Sequence, residues 1–186
     1  MNVLLTGRPG IGKTTLIKKL IDMTSLSKGG FYTEEIREEG QRVGFSLTTL
    51  DGRKSMLAGL KIRSPYRVGR YGVDIDGFEI VGVESIKKAI LAKELIVIDE
   101  IGRMELFSEK FRDVVVQALK TGRVVATIKK GRGGFIGKIK SRKDIRVLEV
   151  NLENREAMLS ELIKIVINLV NRPDQEATCQ DSRHGK

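Results

Sequence analysis

Read from the N-terminus, the chain switches between short unbroken apolar runs and longer stretches whose apolar residues recur every three or four positions. Asn2-Val3-Leu4-Leu5-Thr6 is a short run of the kind buried on both faces of a sheet. From Gly12 to about Met23 the apolar residues Leu16, Ile17, Leu20 and Ile21 fall on one side of a helix. Gly29-Gly30 interrupts the pattern, and Phe31–Arg37 alternates weakly, as a strand does. Arg42–Leu50 and Lys54–Leu60 predict two strands joined at Asp51-Gly52, a favoured hairpin turn. Ser64–Asp76, with Pro65 and several glycines, reads as a loop, and Phe78–Val81 as a short strand. Gly82–Leu91 is helical, and Leu95–Ile98 is a buried strand that ends in two acids. Ser108–Lys120 is an amphipathic helix with Phe111, Val114, Val115, Ala118 and Leu119 on one side, and Gly122 ends it. Val124–Ile128 and Arg146–Val150 are further strands, and Asn151 is placed to cap a last helix reaching about Val170. Pro173–Lys186 is polar and aperiodic and is expected to be a disordered tail.

Alternating strands and helices predict an α/β fold, with a mainly parallel sheet, helices on both faces and the 42–60 hairpin as an antiparallel addition. A chain of 186 residues is expected to form one domain, here residues 1–172.

Gly7-Arg8-Pro9-Gly10-Ile11-Gly12-Lys13-Thr14 stands between the first strand and the first helix. It fits the phosphate-binding pattern G-x-x-x-x-G-K-[ST] without mismatch. Such a loop turns its N–H groups toward a polyphosphate, and the helix N-terminus adds partial positive charge there. Residues Gly7 through Thr14, with Thr15, are therefore the expected nucleotide cradle. Lys13 is expected to reach the β- and γ-phosphates, and the Thr14 hydroxyl to bind Mg²⁺.

The second chemical signal is Leu95-Ile96-Val97-Ile98-Asp99-Glu100, four apolar residues ending in an acid pair. Asp99 is the expected Mg²⁺ ligand. Glu100 is placed to orient or deprotonate a water in line with the γ-phosphate. Ile98, Ile101 and Gly102 complete the nucleotide-binding set on this side. Thr127 ends another buried strand, where ligands of doubly wound sheets gather, and its hydroxyl could bond the attacking water or the γ-phosphate. A cation is needed beside the transferring phosphoryl group. Arg103, Lys129, Lys130 and Arg132 all follow strand ends, and spacing does not choose among them.

The charge of +10 is concentrated between Arg123 and Arg146, where Arg123, Lys129, Lys130, Arg132, Lys138, Lys140, Arg142, Lys143 and Arg146 face one acid, Asp144. A basic segment of this kind can serve nucleic acid, surround phosphates or simply be solvated. The single cysteine, Cys179, excludes a disulfide framework within the chain and suits a reducing cytoplasm. The single histidine, His184, excludes Ser-His-Asp hydrolysis and His-ligated metal sites. No apolar run nears the ~18 residues of a membrane span, and no signal-peptide pattern is visible. Abundant Lys, Arg and Glu with sparse Asn, Gln, Cys and Trp is a composition compatible with a thermophilic source.

The combination resembles the cancer-related nucleoside-triphosphatase family, which is also widespread in thermophiles. The resemblance rests on Gly7–Thr14, Gly30-Phe31-Tyr32-Thr33-Glu34-Glu35-Ile36-Arg37, Gly69-Arg70-Tyr71 with Val73-Asp74, and Asp99-Glu100-Ile101-Gly102-Arg103-Met104-Glu105. It continues in Ala126-Thr127-Ile128, Arg142-Lys143-Asp144 and Asn154-Arg155. It implies a RecA-like P-loop domain and a slow, Mg²⁺-dependent hydrolase that accepts ATP, GTP and other nucleoside triphosphates with little base preference. Arg103 departs from the lysine common in relatives but keeps the charge. No Asn-Lys-x-Asp run that would read guanine is present. Two other readings compete: a small-molecule or nucleotide kinase, with Arg63–Arg70 as a lid, and a nucleotide-switched nucleic-acid binder using the basic segment. A monomer or weak oligomer is expected, since no interface stripe stands out.

Overall fold

The computed structural model describes residues 1–170; the expected tail at 173–186, with Cys179 and His184, lies outside the described residues. Nine strands form one sheet in the order β5-β6-β4-β3-β2-β7-β8-β1-β9. They are β1 Asn2–Thr6, β2 Lys28–Glu38, β3 Gln41–Thr49, β4 Lys54–Gly59, β5 Arg67–Val68, β6 Tyr71–Val73, β7 Leu95–Ile101, β8 Val124–Ile128 and β9 Ile145–Glu149. The helices are α1 Lys13–Met23, α2 Ile75–Phe78, α3 Glu84–Ala92, α4 Glu109–Lys120, α5 Gly134–Lys140 and α6 Arg155–Val170.

From β2 to β9 the neighbours run parallel. Their side chains alternate between two cores, because successive strand residues face opposite ways. Val3, Leu5, Leu95, Val97 and Val125 pack under Leu16, Ile17 and Leu20 of α1 and Leu162 and Val166 of α6. Leu4, Ile96, Ile98 and Ala126 pack on the other face under Ile86 of α3, Phe111 and Val115 of α4, and Ile136 of α5. Burial on both faces is why these strands read as unbroken apolar runs. Phe31 sits in the second core, edge-on to Phe78 at 5.7 Å between ring centres, and Phe78 meets Phe111 at 5.2 Å. Each such pair adds ~0.5–1.5 kcal/mol beyond area burial. The trio ties β2 to the helical layer.

Two buried polar or small residues fix the alignment of the sheet. Asn2, with no exposed surface, donates to Leu119 O at 2.9 Å and accepts from Val124 N at 3.1 Å, joining β1 to the α4–β8 connection. Gly30 has φ +106°, and a Cβ there would lie 1.9 Å from Val97 O. No other residue fits where β2 turns onto β7.

The antiparallel addition is larger than the sequence suggests. β2, β3, β4 and β6 form a meander, and β5 pairs with β6 at the outer edge. The expected loop at 64–76 thus contains two strands. Phe78–Val81, expected as a strand, is helical: α2 leads through a wide helical turn at Glu79–Val83 into α3. Asp74 starts this stretch by accepting from Gly77 N at 3.0 Å, a local signal that the apolar residues at 78–81 obscured. The Asp51-Gly52 turn is present, and Ser108 caps α4 by accepting from Phe111 N at 3.0 Å. Asn151 does not cap α6 directly. It accepts from Glu153 N and Asn154 N in the preceding turn, and the helix begins at Arg155. Helix α5, in the basic segment, had no counterpart in the sequence reading.

Candidate active site

The site lies at the carboxyl ends of β1 and β7. Gly7–Gly12 leaves β1 as a loop and enters α1 through Gly12 in the left-handed region, φ 102°. α1 carries no acid in its first turn and no side-chain cap, so its N-terminal field is directed into the loop's concavity. Lys13 is buried, and its ammonium stands 3.4 Å from the carbonyls of Gly7 and Arg8. Those are bonds at the long limit, which leaves donor capacity for a stronger acceptor.

Asp99 is buried at 1 % exposure. Thr127 Oγ1 donates to its carboxylate at 2.5 Å, Thr33 N approaches it at 3.5 Å, and the Thr14 hydroxyl bonds the same group. Burial pushes the Asp99 carboxyl above its ordinary value, and those bonds and Lys13 oppose the shift. The sequence suggested water or phosphate as partner of the Thr127 hydroxyl; its proton is given to Asp99, which leaves only its acceptor side for either. Glu100 follows across a cis peptide bond. It is half-buried and also raised by burial, against the pull of Lys13 and with the push of Asp99.

The sequence reading named Glu105 only as the end of a resembling block, without a role. The turn Gly102–Leu106 folds it back onto the acid pair. A Cβ added at Gly102 would meet Glu105 Oε2 at 2.8 Å and Glu100 Cδ at 3.4 Å, so Gly102 leaves the gap in which the two carboxyls approach. Burial pushes Glu105 from 4.5 to about 8, with the negative charges of Glu100 and Asp99 adding to the shift. At neutral pH it is a carboxylic acid, not a carboxylate.

Among the candidate cations, Lys129 and Arg103 line the cleft with Lys13 and Glu100. Lys129 is half-buried and its attraction favours ionised Glu100; Arg103 is exposed. The Lys129 backbone is fixed on both sides: its N–H donates to Ile101 O at 3.2 Å, and its carbonyl accepts from Lys140 Nζ at 2.9 Å. Lys130 is paired with Glu149, and Arg132 is exposed in the following loop. Much of the basic segment is bound within the molecule. Arg123 donates to the carbonyls of Lys93 and Ile90 at the end of α3, Arg142 pairs with Asp144, and Arg146 with Glu161.

These groups surround a cleft of about 740 Å³. It runs from the phosphate loop past Glu100 to Glu35, Arg42, Phe45 and Val68 on the antiparallel strands. Gly12 and Thr15 also line a second cavity of about 250 Å³ between α1 and α6, with Ile11, Lys19, Arg155 and Leu159. Among the described residues no group of three His, Cys, Asp or Glu side chains could hold a metal unaided. Mg²⁺ at phosphate sites takes one or two protein oxygens, the rest coming from phosphates and water. Thr14 and Asp99, two hard oxygen donors already in contact, fit that arrangement.

A phosphate loop after the buried parallel strand β1, with an acid pair near the end of β7, defines a P-loop nucleotide-binding protein. The chain belongs to the nucleoside-triphosphatase family, whose model, described as NTPase, matches residues 2–163. It is 50% identical over 167 residues to nucleoside-triphosphatase THEP1 of Thermotoga sp. (strain RQ2), covering 89% of this chain and 95% of that protein. It is 38% identical over 182 residues to the human cancer-related nucleoside-triphosphatase, covering 89% and 96%. The crystal structure of THEP1 from the hyperthermophile Aquifex aeolicus superposes with a TM-score of 0.82 at 35% identity, over 89% of this chain and 99% of that one. No helix among the described residues is long and apolar enough to cross a membrane.

Proposed function

We propose that the chain is a Mg²⁺-dependent nucleoside-triphosphate phosphohydrolase of broad base tolerance and slow turnover, with residues 1–172 acting as one cytoplasmic domain. The observation that carries this reading is the convergence of Lys13, Thr14, Asp99 and Glu100 at the ends of β1 and β7. The loop from Gly7 to Thr15 holds the phosphates by backbone N–H groups, with Lys13 between the β- and γ-positions. Thr14 and Asp99 hold Mg²⁺, which when bound neutralises charge on the β- and γ-oxygens. Thr127 fixes the Asp99 carboxylate through its 2.5 Å bond. Glu100 accepts a hydrogen bond from the attacking water, aligns it with the γ-phosphorus and takes its proton. Burial raises the Glu100 carboxyl above its ordinary value while Lys13 opposes the shift, a direction that strengthens it as a base toward water.

Lys129 is the favoured cis cation, its backbone fixed by Ile101 and Lys140. Arg103, on the same wall but exposed, is the second choice.

Because the phosphate chain crosses Gly12 and Thr15, the nucleoside leaves toward the α1–α6 cavity. Its walls include the apolar Ile11, Leu16 and Leu159, on which any base can lie, beside the charged Lys19, Arg155 and Glu156. The test is phosphate release from ATP, GTP, CTP and UTP separately, with Mg²⁺ and nothing else. Turnover of all four, lost on chelation, is the expected result. Turnover of one alone contradicts the tolerance, and release from none contradicts the hydrolase.

A further inference from the structure

The larger cleft holds more than a nucleoside triphosphate uses. The γ-phosphate end of the chain points to Lys13 and Glu100, and the nucleoside end to the α1–α6 cavity. That leaves the cleft beyond Glu100, walled by Phe45, Leu57, Val68 and Met104 and rimmed by Glu35 and Arg42. Hydrolysis gives this chamber no task, since water needs no apolar floor.

We infer, building on the hydrolase reading, that the outer chamber is a phosphoryl-acceptor pocket for an uncharged, hydroxyl-bearing molecule with one flat face, a nucleoside. Three observations select that class. Two of the cleft's cations are already matched on the antiparallel side: Arg42 donates to Glu35 at 2.7 Å, and Lys18 pairs with Glu34. The cleft's other cations, Lys13, Lys129 and Arg103, are those assigned above to the transferring phosphoryl group, so a second phosphate on the acceptor would have to compete for them. The Arg42 guanidinium lies 5.2 Å from the centre of the Phe45 ring, forming a flat, delocalised surface on which a base can stack. Phe45, Leu57, Val68 and Met104 offer the face of a base apolar contact, and the whole cleft, about 740 Å³, falls within the ~300–1,000 Å³ of small-molecule sites.

In the step this implies, the acceptor hydroxyl oxygen forms a bond to the γ-phosphorus while the bond from that phosphorus to the β,γ-bridging oxygen breaks. The nucleoside diphosphate leaves with the electron pair, and the hydroxyl proton passes to the Glu100 carboxylate. Water in the same position gives hydrolysis, the slower default when the chamber is empty.

The experiment supplies ATP labelled in the γ-phosphate, with Mg²⁺, to the full chain together with adenosine, guanosine, cytidine or uridine, each alone. Label should enter the monophosphate of at least one nucleoside. Val68→Trp, which fills the chamber from the short edge strand, should lower that labelling at least ~10-fold relative to inorganic phosphate release, whereas Val68→Ile retains it. Label found in inorganic phosphate alone overturns the acceptor pocket and leaves the hydrolase standing. Label released to neither overturns the reading on which the pocket rests. An equal fall of both products in Val68→Trp shows that the chamber holds the nucleotide's own base, which also overturns the proposal.

Discussion

The two halves of the sheet are built on different physics. Across β7, β8 and β1 the strands are parallel, covered on both faces and almost without exposed surface, with Leu4, Ile96, Val125 and Ala126 fully buried; the parallel edge strand β9 is partly exposed. From β2 outward to β5 the neighbours are antiparallel, and ion pairs lie along their surface and turns: Arg42 with Glu35, Arg37 with Glu35, Arg53 with Asp51. The buried half ends in the phosphate loop and the acid pair. The exposed half contributes the far wall of the same cleft. Rigid chemistry on one side and an adaptable wall on the other is the division expected if the nucleotide's phosphates are held by the first and the second ligand is chosen by the second.

Substitutions on the two sides should therefore differ in scale. The largest effect is expected at Lys13. Lys13→Met removes the cation over the loop carbonyls, and steady-state turnover should fall by at least ~10²-fold. Next is Thr127→Val, which keeps shape but takes away the donor to Asp99. A loss of ~10–100-fold in Mg²⁺-supported activity is expected, measured as the Mg²⁺ concentration needed for half-maximal phosphate release.

Glu105→Gln tests the buried acid by stability. Its pKa is raised on folding, so the native state binds a proton that the unfolded chain has released. Wild-type stability is then lost as pH rises from about 4.5 through about 8. The glutamine variant should lack that loss and melt higher than wild type above pH 8, by on the order of a few kcal/mol at most. Melting curves at pH 5, 7 and 9 without nucleotide measure it, and parallel decline of both proteins would contradict the assignment. The smallest effect belongs to the exposed half. Arg37→Ala breaks a surface pair, and chemical denaturation should detect no more than ~0.5 kcal/mol.

The same contrast explains what could be read from the sequence. Strands β1, β7 and β8 were legible because burial on two faces leaves an unbroken apolar signature, and the loop and acid pair are contiguous. β5 and β6 were not, because strands of two and three residues beside Gly69 and Gly72 carry no periodicity. The 78–81 segment misled because its three apolar residues, Phe78, Ile80 and Val81, suit a strand as well as a helix, and its helical cap, Asp74, lies outside the run. α5 was hidden by its own lysines and three nearby glycines. In the site, Lys13, Thr14, Asp99 and Glu100 were found by local pattern. Thr127 was placed at the strand end where it lies, but its bond to Asp99 was not legible, since only the register of β8 against β7 brings its hydroxyl there. Glu105 went without a role because its contact with the acid pair comes from a turn that no spacing rule predicts. The preference for Lys129 proposed above also rests on three dimensions: its N–H donates to Ile101 O, its carbonyl accepts from Lys140, and it lines the cleft beside Glu100.

The central claim is that Glu100 positions and deprotonates the attacking water while other groups bind the nucleotide. It is tested most directly by measuring ATP affinity and single-turnover hydrolysis side by side in Glu100→Gln, which preserves size and removes the base. The account predicts nucleotide affinity close to wild type and a rate reduced by ~10²–10⁴-fold. Hydrolysis at the wild-type rate, or loss of binding in parallel with turnover, would contradict it.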